Sequence, residues 1–169
     1  MIGIIVMSNE VYTNSKHFEN RGSIYSLYKA EDFEVDFVQD KISKSYQGVI
    51  RGFHADKYIW KLITCIQGKV KFVTYDFKTD QKNHYLLDGD SGTSVSVLIP
   101  PDTLNAHQCL SPVCIFHYKW SEYYEGTNNQ RTVHYNDPDI NPKWNEEFGF
   151  IVSERDQAAG SFKELKNNV

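Results

Sequence analysis

The sequence predicts an all-β protein, a jelly-roll barrel with a short helical segment near its C-terminal end. Two observations lead to this fold class. Short segments rich in β-branched and aromatic residues follow one another with turn residues between them, and aromatic residues make up 14% of the 169 residues. Helical patterns are weak before residue 153. Many short strands joined by regular turns are typical of barrels and sandwiches.

The predicted strands follow one another in a regular order. They are SIYSLY, FEVDFVQD, GVIRGFH, WKLITCIQG, KVKFVTYDF, HYLLDGDSG, TSVSVLIPP and CIFHYKWSEYY. FEVDFVQD and TSVSVLIPP alternate apolar and polar residues, which is the pattern of a strand with one buried face. The apolar run MIGIIVM is too short to span a membrane and lacks the basic region of a signal peptide, so a strand is predicted there as well. Near the C-terminal end, Ser153 is predicted to cap a helix, with Asp156 three residues later.

Composition and charge limit the classes of partner. The length fits one domain over residues 1–169. The net charge of -4 comes without a block of basic residues, so neither nucleic acid nor a membrane is an expected partner. Cys65, Cys109 and Cys114 lack the spacing of a zinc site and are predicted to be buried, reduced thiols of a cytoplasmic protein.

The stretch RGFHADKYIWKLITCIQG has the spacing of a cupin metal motif in which most of the ligands are replaced. That motif is His-x-His, three or four residues, Glu, six residues and Gly, and it falls here on His54, Asp56, Lys61 and Gly68. The second cupin motif, Pro-x-Gly-x-x-His, ends here on Asn105. A lysine ammonium repels a divalent cation, and one His with an Asp and an Asn binds it poorly. We therefore predict a site without a metal or another cofactor.

His54 and Lys61 are predicted to face the same barrel mouth from neighbouring strands, and such a pair suits carbanion chemistry. An imidazole, whose ordinary pKa is about 6.5, can accept a proton near neutral pH. An ammonium can stabilise the oxyanion that forms on a carbonyl when the adjacent carbon loses a proton. A phenol could return the proton, but residue type alone does not choose among Tyr118, Tyr123 and Tyr124. Lys61 could also merely extend from its strand into solvent.

Seven blocks of the sequence occur in the order and spacing of one enzyme family. They are HFENRGSIYSLY, FVQDKISKSYQGVIRGFH, WKLITCIQGKVKFVTYDF, LIPPDTLNAH, FHYKWSEYY, NDPDINPKW and FIVSERDQAAGSF. Together they resemble the dTDP-4-dehydrorhamnose 3,5-epimerase family, the RmlC-like cupin sugar epimerases. The resemblance implies a homodimeric isomerase that acts on a nucleotide-diphosphate-linked 4-keto-6-deoxy sugar, in deoxysugar biosynthesis for a surface polysaccharide such as a capsule.

The resemblance also implies roles for single residues. His54 matches the general base, and Asp156 matches the carboxylate that pairs with it. Lys61 matches the lysine that stabilises the enolate oxygen at C4, and Tyr118 matches the acid that reprotonates from the opposite face. The residues implied to bind the nucleotide diphosphate are Arg21, Gln39 and Arg51, and those at the pocket are Asn105, His107 and Trp60.

Departures from the family pattern indicate retained chemistry on a changed substrate. Ser26 stands where the family has Glu, Lys41 where it has Asn, Asn105 where it has His, and Trp60 where it has Gly. RGFHADKYIWKLITC and VQDKIS are more similar to the branch that acts on GDP-4-keto-6-deoxy-heptoses. The nucleotide (dTDP, GDP or CDP), the sugar (hexose or heptose) and the inverted centre (C3 alone or C3 and C5) stay open.

Two alternatives remain, a related cupin isomerase and a binding protein of another functional class. A cupin 3,4-ketoisomerase has the similar motif Arg-Gly-x-His-Ala-His, but Asp56 replaces its second His, and the segment SERDQAA favours an epimerase. A catalytically inactive cupin that binds a nucleotide sugar or a protein would be expected to lose at least one of the four residues implied to be catalytic. His54, Lys61, Tyr118 and Asp156 are all present.

Overall fold

A computed structural model describes residues 9–76 and 78–168, and short strands make up most of its regular structure. The strands are β1 (Glu10–Ser15), β2 (His17–Glu19), β3 (Gly22–Ile24), β4 (Gln39–Tyr46), β5 (Val49–Asp56), β6 (Lys61–Gln67), β7 (Lys69–Asp76), β8 (Gln81–Asp88), β9 (Thr93–Ile99), β10 (Leu104–Cys109), β11 (Val113–Trp120), β12 (Gln130–Thr132) and β13 (Ile151–Val152). The helices are α1 (Glu154–Gln157) and α2 (Phe162–Asn167), with 3-10 turns at Ala30–Asp32, Thr127–Asn129 and Glu146–Phe148. No helix in the described ranges is long and apolar enough to cross a membrane.

The strands form two main sheets. Within the described residues, one sheet has the order β1-β9-β6-β11-β4, and the other has the order β12-β5-β10-β7-β8, with β13 parallel to β5. A small hairpin of β2 and β3 stands apart. The chain changes sheet between β4 and β5 and again between β5 and β6, whereas the consecutive strands β7 and β8 pair within one sheet. The predicted all-β class with short C-terminal helices is confirmed.

Apolar side chains from both sheets meet in the space between them. This inner cluster consists of Ile63, Cys65, Val70, Phe72, Leu87, Val97, Ile99, Cys109, Cys114 and Phe116. Its members come from β6 to β11, and their burial holds the two sheets face to face. The three cysteines are buried and free, as the sequence predicted.

A second apolar cluster covers the outer face of the sheet that contains β5. There Ile50 and Phe53 pack against Trp144 and Phe162, which belong to the C-terminal part of the chain. Hydrogen bonds of buried polar groups also hold this C-terminal part in place. The Gln108 side chain exchanges two hydrogen bonds with the backbone of Asn145, of 2.8 and 2.7 Å. The C-terminal segment is therefore fixed over β5, which brings α1 to the end of the barrel.

The strand predicted over FEVDFVQD is wrong for most of its length. Residues 33–38 form no strand, and β4 begins only after them. The alternating aromatic residues instead build a surface cluster: the ring of Phe33 lies 4.4 Å from that of Tyr12 and 5.4 Å from that of Tyr28, and the ring of Phe37 lies 5.6 Å from that of Tyr28. The apolar alternation reflects this ring packing and not a strand.

Two other predictions are corrected at the chain ends. The strand in SIYSLY ends at Ile24, and the predicted C-terminal helix is divided into α1 and α2 by residues 158–161. The predicted cap is present, because the Ser153 hydroxyl accepts a hydrogen bond of 3.2 Å from the backbone N–H of Asp156. The strand predicted over MIGIIVM lies outside the described residues.

Candidate active site

A cavity of about 610 Å³ opens between the ends of the two sheets, beside α1. Its charged lining consists of four cationic side chains, Lys41, Arg51, Lys61 and Arg155, and two carboxylates, Asp56 and Asp156. The whole chain carries a net charge of -4, so the excess of cations is local. A cationic cleft in an acidic protein suits an anionic ligand.

His54 on β5 and Asp156 on α1 form a hydrogen-bonded pair at the wall of this cavity. The Nε2 atom of His54 lies 2.6 Å from Oδ1 of Asp156, and Oδ2 of Asp156 accepts a hydrogen bond of 3.2 Å from the backbone N–H of Gly52. Burial would raise the pKa of Asp156, but the hydrogen bonds and the charge of His54 lower it below its ordinary value. The ionised carboxylate orients the imidazole and stabilises it when it gains a proton.

Gly52 lets the backbone of β5 pass close enough to β10 for this arrangement. Its φ is +115°, and a Cβ atom there would lie 2.5 Å from the carbonyl oxygen of Asn105 and 2.7 Å from Cβ of Ala106. Only glycine fits such a position without displacing the backbone. The Arg-Gly-x-His motif therefore keeps its glycine for a steric reason two residues before His54.

Lys61 begins β6 and extends its ammonium into the cavity beside Asp56, the last residue of β5. The two side chains are 5% and 4% exposed and form an ion pair. Burial lowers the pKa of Lys61, the carboxylate of Asp56 opposes this effect, and the charge of Lys41 adds to it. His54 and Lys61 do face one cavity, but they approach it from opposite sheets and not from neighbouring strands.

Tyr118 on β11 lines the cavity together with His54 and Lys61. Burial raises its pKa to about 12, although Ser43 and Arg51 act in the opposite direction. The phenol is therefore protonated at neutral pH and can act as an acid. Tyr124 also lines the cavity, whereas Tyr123 is 67% exposed and does not.

Three of the residues predicted to bind substrate line the cavity. Arg51 donates a hydrogen bond of 3.0 Å to the hydroxyl of Ser45, and the Asn105 amide donates one of 2.7 Å to the backbone oxygen of His54. His107 is buried, and its burial together with the nearby Arg51 and His54 lowers its pKa to about 3. The His107 imidazole is therefore neutral under ordinary conditions and does not add to the positive charge of the cavity.

Three other residues predicted to bind substrate lie outside this cavity. Arg21 is on the β2–β3 hairpin with its side chain 80% exposed. Gln39 accepts a hydrogen bond of 3.1 Å from the backbone N–H of Tyr124 and so supports the loop after β11. At the turn before β6, the backbone N–H of Trp60 donates a hydrogen bond to the hydroxyl of Ser121, and its backbone oxygen accepts one from the backbone N–H of Ser121. Their roles in binding stay predictions.

The sequence did not single out four residues of the cavity as functional. Lys41 departs from the family motif and Asp56 from the metal motif. The sequence therefore points to these two positions but does not predict their contacts. Gln130 and Arg155 carried no signal in sequence. Gln130 reaches the site because β12 pairs with the end of β5, and Arg155 reaches it because it lies on α1, which follows β13.

Comparison with known proteins identifies the family. The family model described as dTDP-4-dehydrorhamnose 3,5-epimerase matches residues 6–164. The chain belongs to the dTDP-4-dehydrorhamnose 3,5-epimerase family. An enzyme of that name from Methanothermobacter thermautotrophicus is 30% identical, over 98% of this chain and 91% of the relative.

Solved structures agree with this family assignment. The structure of a dTDP-4-dehydrorhamnose 3,5-epimerase from Elizabethkingia anophelis is 27% identical, with a TM-score of 0.80 and 96% of each chain covered. An RmlC epimerase from Legionella pneumophila, solved with dTDP-4-keto-L-rhamnose, is 24% identical and has the same fold, with a TM-score of 0.85 over 95% of this chain and 90% of that one. The fold of the family is thus shared along nearly the whole chain.

Replacing Asp156 with Asn is expected to remove a pH-dependent contribution to stability. The pKa of Asp156 is lower in the folded protein than the ordinary value of about 3.9, so the unfolded chain binds this proton more readily. The carboxylate therefore stabilises the fold above about pH 4, and this stabilisation is lost as the pH falls towards the lowered pKa. The difference in free energy of unfolding between the wild type and Asp156→Asn should shrink from pH 6 to pH 3.

Urea denaturation at each pH measures that difference. Asp36→Asn, at an exposed position, is the control for the substitution itself. A difference between the wild type and Asp156→Asn that stays constant over this pH range would contradict the assignment of an ionised, hydrogen-bonded carboxylate.

Proposed function

We propose that the protein epimerises a nucleotide-diphosphate-linked 4-keto-6-deoxy sugar, inverting C3, C5 or both, as a step in deoxysugar biosynthesis for a surface polysaccharide. One observation carries the proposal: a single cavity holds a carboxylate-paired imidazole, a buried ammonium and a protonated phenol. These groups are a base, an electrostatic partner for an enolate, and an acid. The family to which the chain belongs supports the same reaction class.

The first half of the reaction breaks a carbon–hydrogen bond next to the keto group. The C4 carbonyl acidifies the hydrogens at C3 and C5. His54 takes one of these protons, and the C–H electron pair moves to form an enolate at C4. Asp156 stabilises the imidazolium, and the Lys61 ammonium stabilises the enolate oxygen.

The second half returns a proton to the other face of the sugar. Tyr118 belongs to the sheet opposite the one that carries His54, so the two groups flank the cavity from different sides. The phenol donates its proton to the carbon, and the C4 carbonyl forms again. His54 then loses its proton to solvent and Tyr118 regains one, so the cycle has no net proton or electron change.

The cations near the cavity mouth suit the diphosphate of the substrate. Arg51 and Arg155 present guanidinium groups, which bind phosphate oxygens in pairs, and Lys41 adds a point charge. The relatives described above are named for a dTDP-linked sugar, so dTDP is the nucleotide we propose first. A GDP-linked heptose stays the alternative that the sequence departures suggested. A cytoplasmic location fits such a nucleotide sugar and the free cysteines.

The first test is isotope exchange in D₂O with dTDP- and GDP-linked 4-keto-6-deoxy sugars. The C3 proton signal, or the C3 and C5 signals, should disappear as inverted product accumulates. Exchange at C3 alone indicates a 3-epimerase, and exchange at both carbons a 3,5-epimerase. EDTA should leave the rate unchanged, because Lys61 occupies a ligand position of the metal motif. Lack of exchange with every nucleotide sugar would overturn the proposal, and movement of the keto group to C3 would indicate a ketoisomerase.

Substitutions should separate the base from the acid. His54→Ala is expected to abolish exchange while nucleotide-sugar binding persists, since the base is lost but the cations remain. Tyr118→Phe should allow exchange but lower inversion by about 10²- to 10⁴-fold, the range for a general acid. Tyr124→Phe, in the same cavity, is the matched control and should invert at nearly the wild-type rate. Full activity of His54→Ala, or equal effects of the two Tyr substitutions, would contradict the assigned roles.

We also propose a homodimer in which the β2–β3 hairpin contacts the partner subunit. Phe18 and Ile24 on this hairpin are 57% and 70% exposed, and Ile42 and Tyr46 are exposed on the edge strand β4. Exposed apolar edges of this kind are usually covered. Sedimentation equilibrium should give twice the mass of the chain, and Arg21→Ala should raise the KM for the nucleotide sugar more than it lowers kcat. The mass of a single chain would contradict this proposal.

A further inference from the structure

The partner of the Lys61 ammonium is a carboxylate to which neither the resemblance nor the proposed function assigns a role. Asp56 lies two residues after His54 on β5, so both side chains point to the same face of the strand. Its Oδ2 atom contacts Nζ of Lys61, and both side chains are almost fully buried. Burying an ion is unfavourable unless an opposite charge and hydrogen bonds accompany it.

The other carboxylate oxygen of Asp56 also has a partner. Its Oδ1 atom accepts a hydrogen bond of 3.0 Å from the side-chain amide of Gln130. The amide oxygen of Gln130 accepts one of 2.6 Å from Arg155, which also donates one of 2.8 Å to the hydroxyl of Thr132. The ammonium is thus the end of a chain of polar contacts that runs through β5 and β12 to α1.

The other charged group near the ammonium acts against it. Lys41 on β4 repels Lys61, and its own Nζ lies 4.4 Å from the ring centroids of both Trp120 and Tyr124. The strand neighbours of Lys61 are Ile99 on β9 and Trp120 on β11, and the indole lies 5.7 Å from the ammonium. Among the charged groups that act on Lys61, the carboxylate of Asp56 is therefore the one that favours its charged form.

We propose that Asp56 is a positioning residue for the reaction, which keeps the Lys61 ammonium charged and aimed at the oxygen of the forming enolate. Gln130 and Arg155 fix the carboxylate in turn. The inference rests on the enolate chemistry proposed above. Without Asp56, burial and the repulsion from Lys41 would favour the neutral amine, which has no charge to offer the enolate.

This role predicts a particular change in the pH dependence of the reaction. Asp56→Asn keeps the shape of the side chain but removes its charge, so the pKa of Lys61 should fall further. The alkaline limb of the pH–rate profile should move towards neutral pH by about 1 pH unit or more. At pH 8 the kcat should drop by about 10- to 100-fold, less than the ~10²- to 10³-fold typical of losing an oxyanion donor outright. The KM should change little.

Asp102→Asn is the matched control. Asp102 is another nearly buried carboxylate, hydrogen-bonded at 2.7 Å to Arg131, and its backbone N–H donates to the backbone oxygen of Asp56. Asp102→Asn should lower the free energy of unfolding without moving the alkaline limb of the pH–rate profile. Gln130→Ala, which removes only the support of Asp56, should move the limb in the same direction by a smaller amount. This milder variant keeps the test valid if Asp56→Asn fails to fold.

A second measurement does not depend on activity. Titration of the ¹³Cε signal of Lys61, assigned with Lys61→Arg, should show a lower pKa in Asp56→Asn than in the wild type. One outcome would overturn this inference alone. In that outcome the wild type exchanges sugar protons, but Asp56→Asn and Gln130→Ala both leave the alkaline limb of the pH–rate profile and the ¹³C titration of Lys61 unchanged. A wild type that exchanges nothing would overturn the proposed function, whereas the ¹³C titration would still decide whether Asp56 controls the charge of Lys61.

Discussion

The carboxylate of Asp156 is the contact on which the assembled site depends. It receives hydrogen bonds from the His54 ring and from the Gly52 backbone, and thereby joins α1 to β5. The chain between β12 and α1 is long and has few strands, so its position comes from side-chain anchors such as Gln108 and from the apolar contacts of Trp144. The imidazole of His54 has a carboxylate partner in this cavity because the last part of the chain folds back over β5.

The cavity contains an imidazole and an ammonium, and each of them is paired with a carboxylate. His54 is paired with Asp156, and Lys61 is paired with Asp56. The pairing allows an imidazole and a buried ammonium to share one cavity, since each has a carboxylate partner. The cations that remain, Arg51 among them, give the cavity an excess of positive charge suited to a diphosphate.

These contacts explain what the departures from the family and metal motifs do in the structure. Asp56 and Lys41 both act on Lys61, one favouring its charged form and the other opposing it. Trp60 instead lies outside the cavity and contributes backbone hydrogen bonds with Ser121. Asp56 and Trp60 are close in sequence, but only Asp56 acts on Lys61. The reason is that alternate residues of a strand, and the turn that follows it, point in different directions.

The sequence by itself determined the all-β class, most strand positions and the motif that holds His54 and Lys61, because strand alternation and motif spacing are local properties of the chain. It failed at residues 33–38, where apolar alternation comes from ring packing and not from pairing with another strand. It also could not show that Tyr118 and Tyr124, but not Tyr123, line the cavity, and it could not find Gln130. Only the tertiary structure decided these points, since they depend on which strands cross between sheets and on where a distant segment folds back.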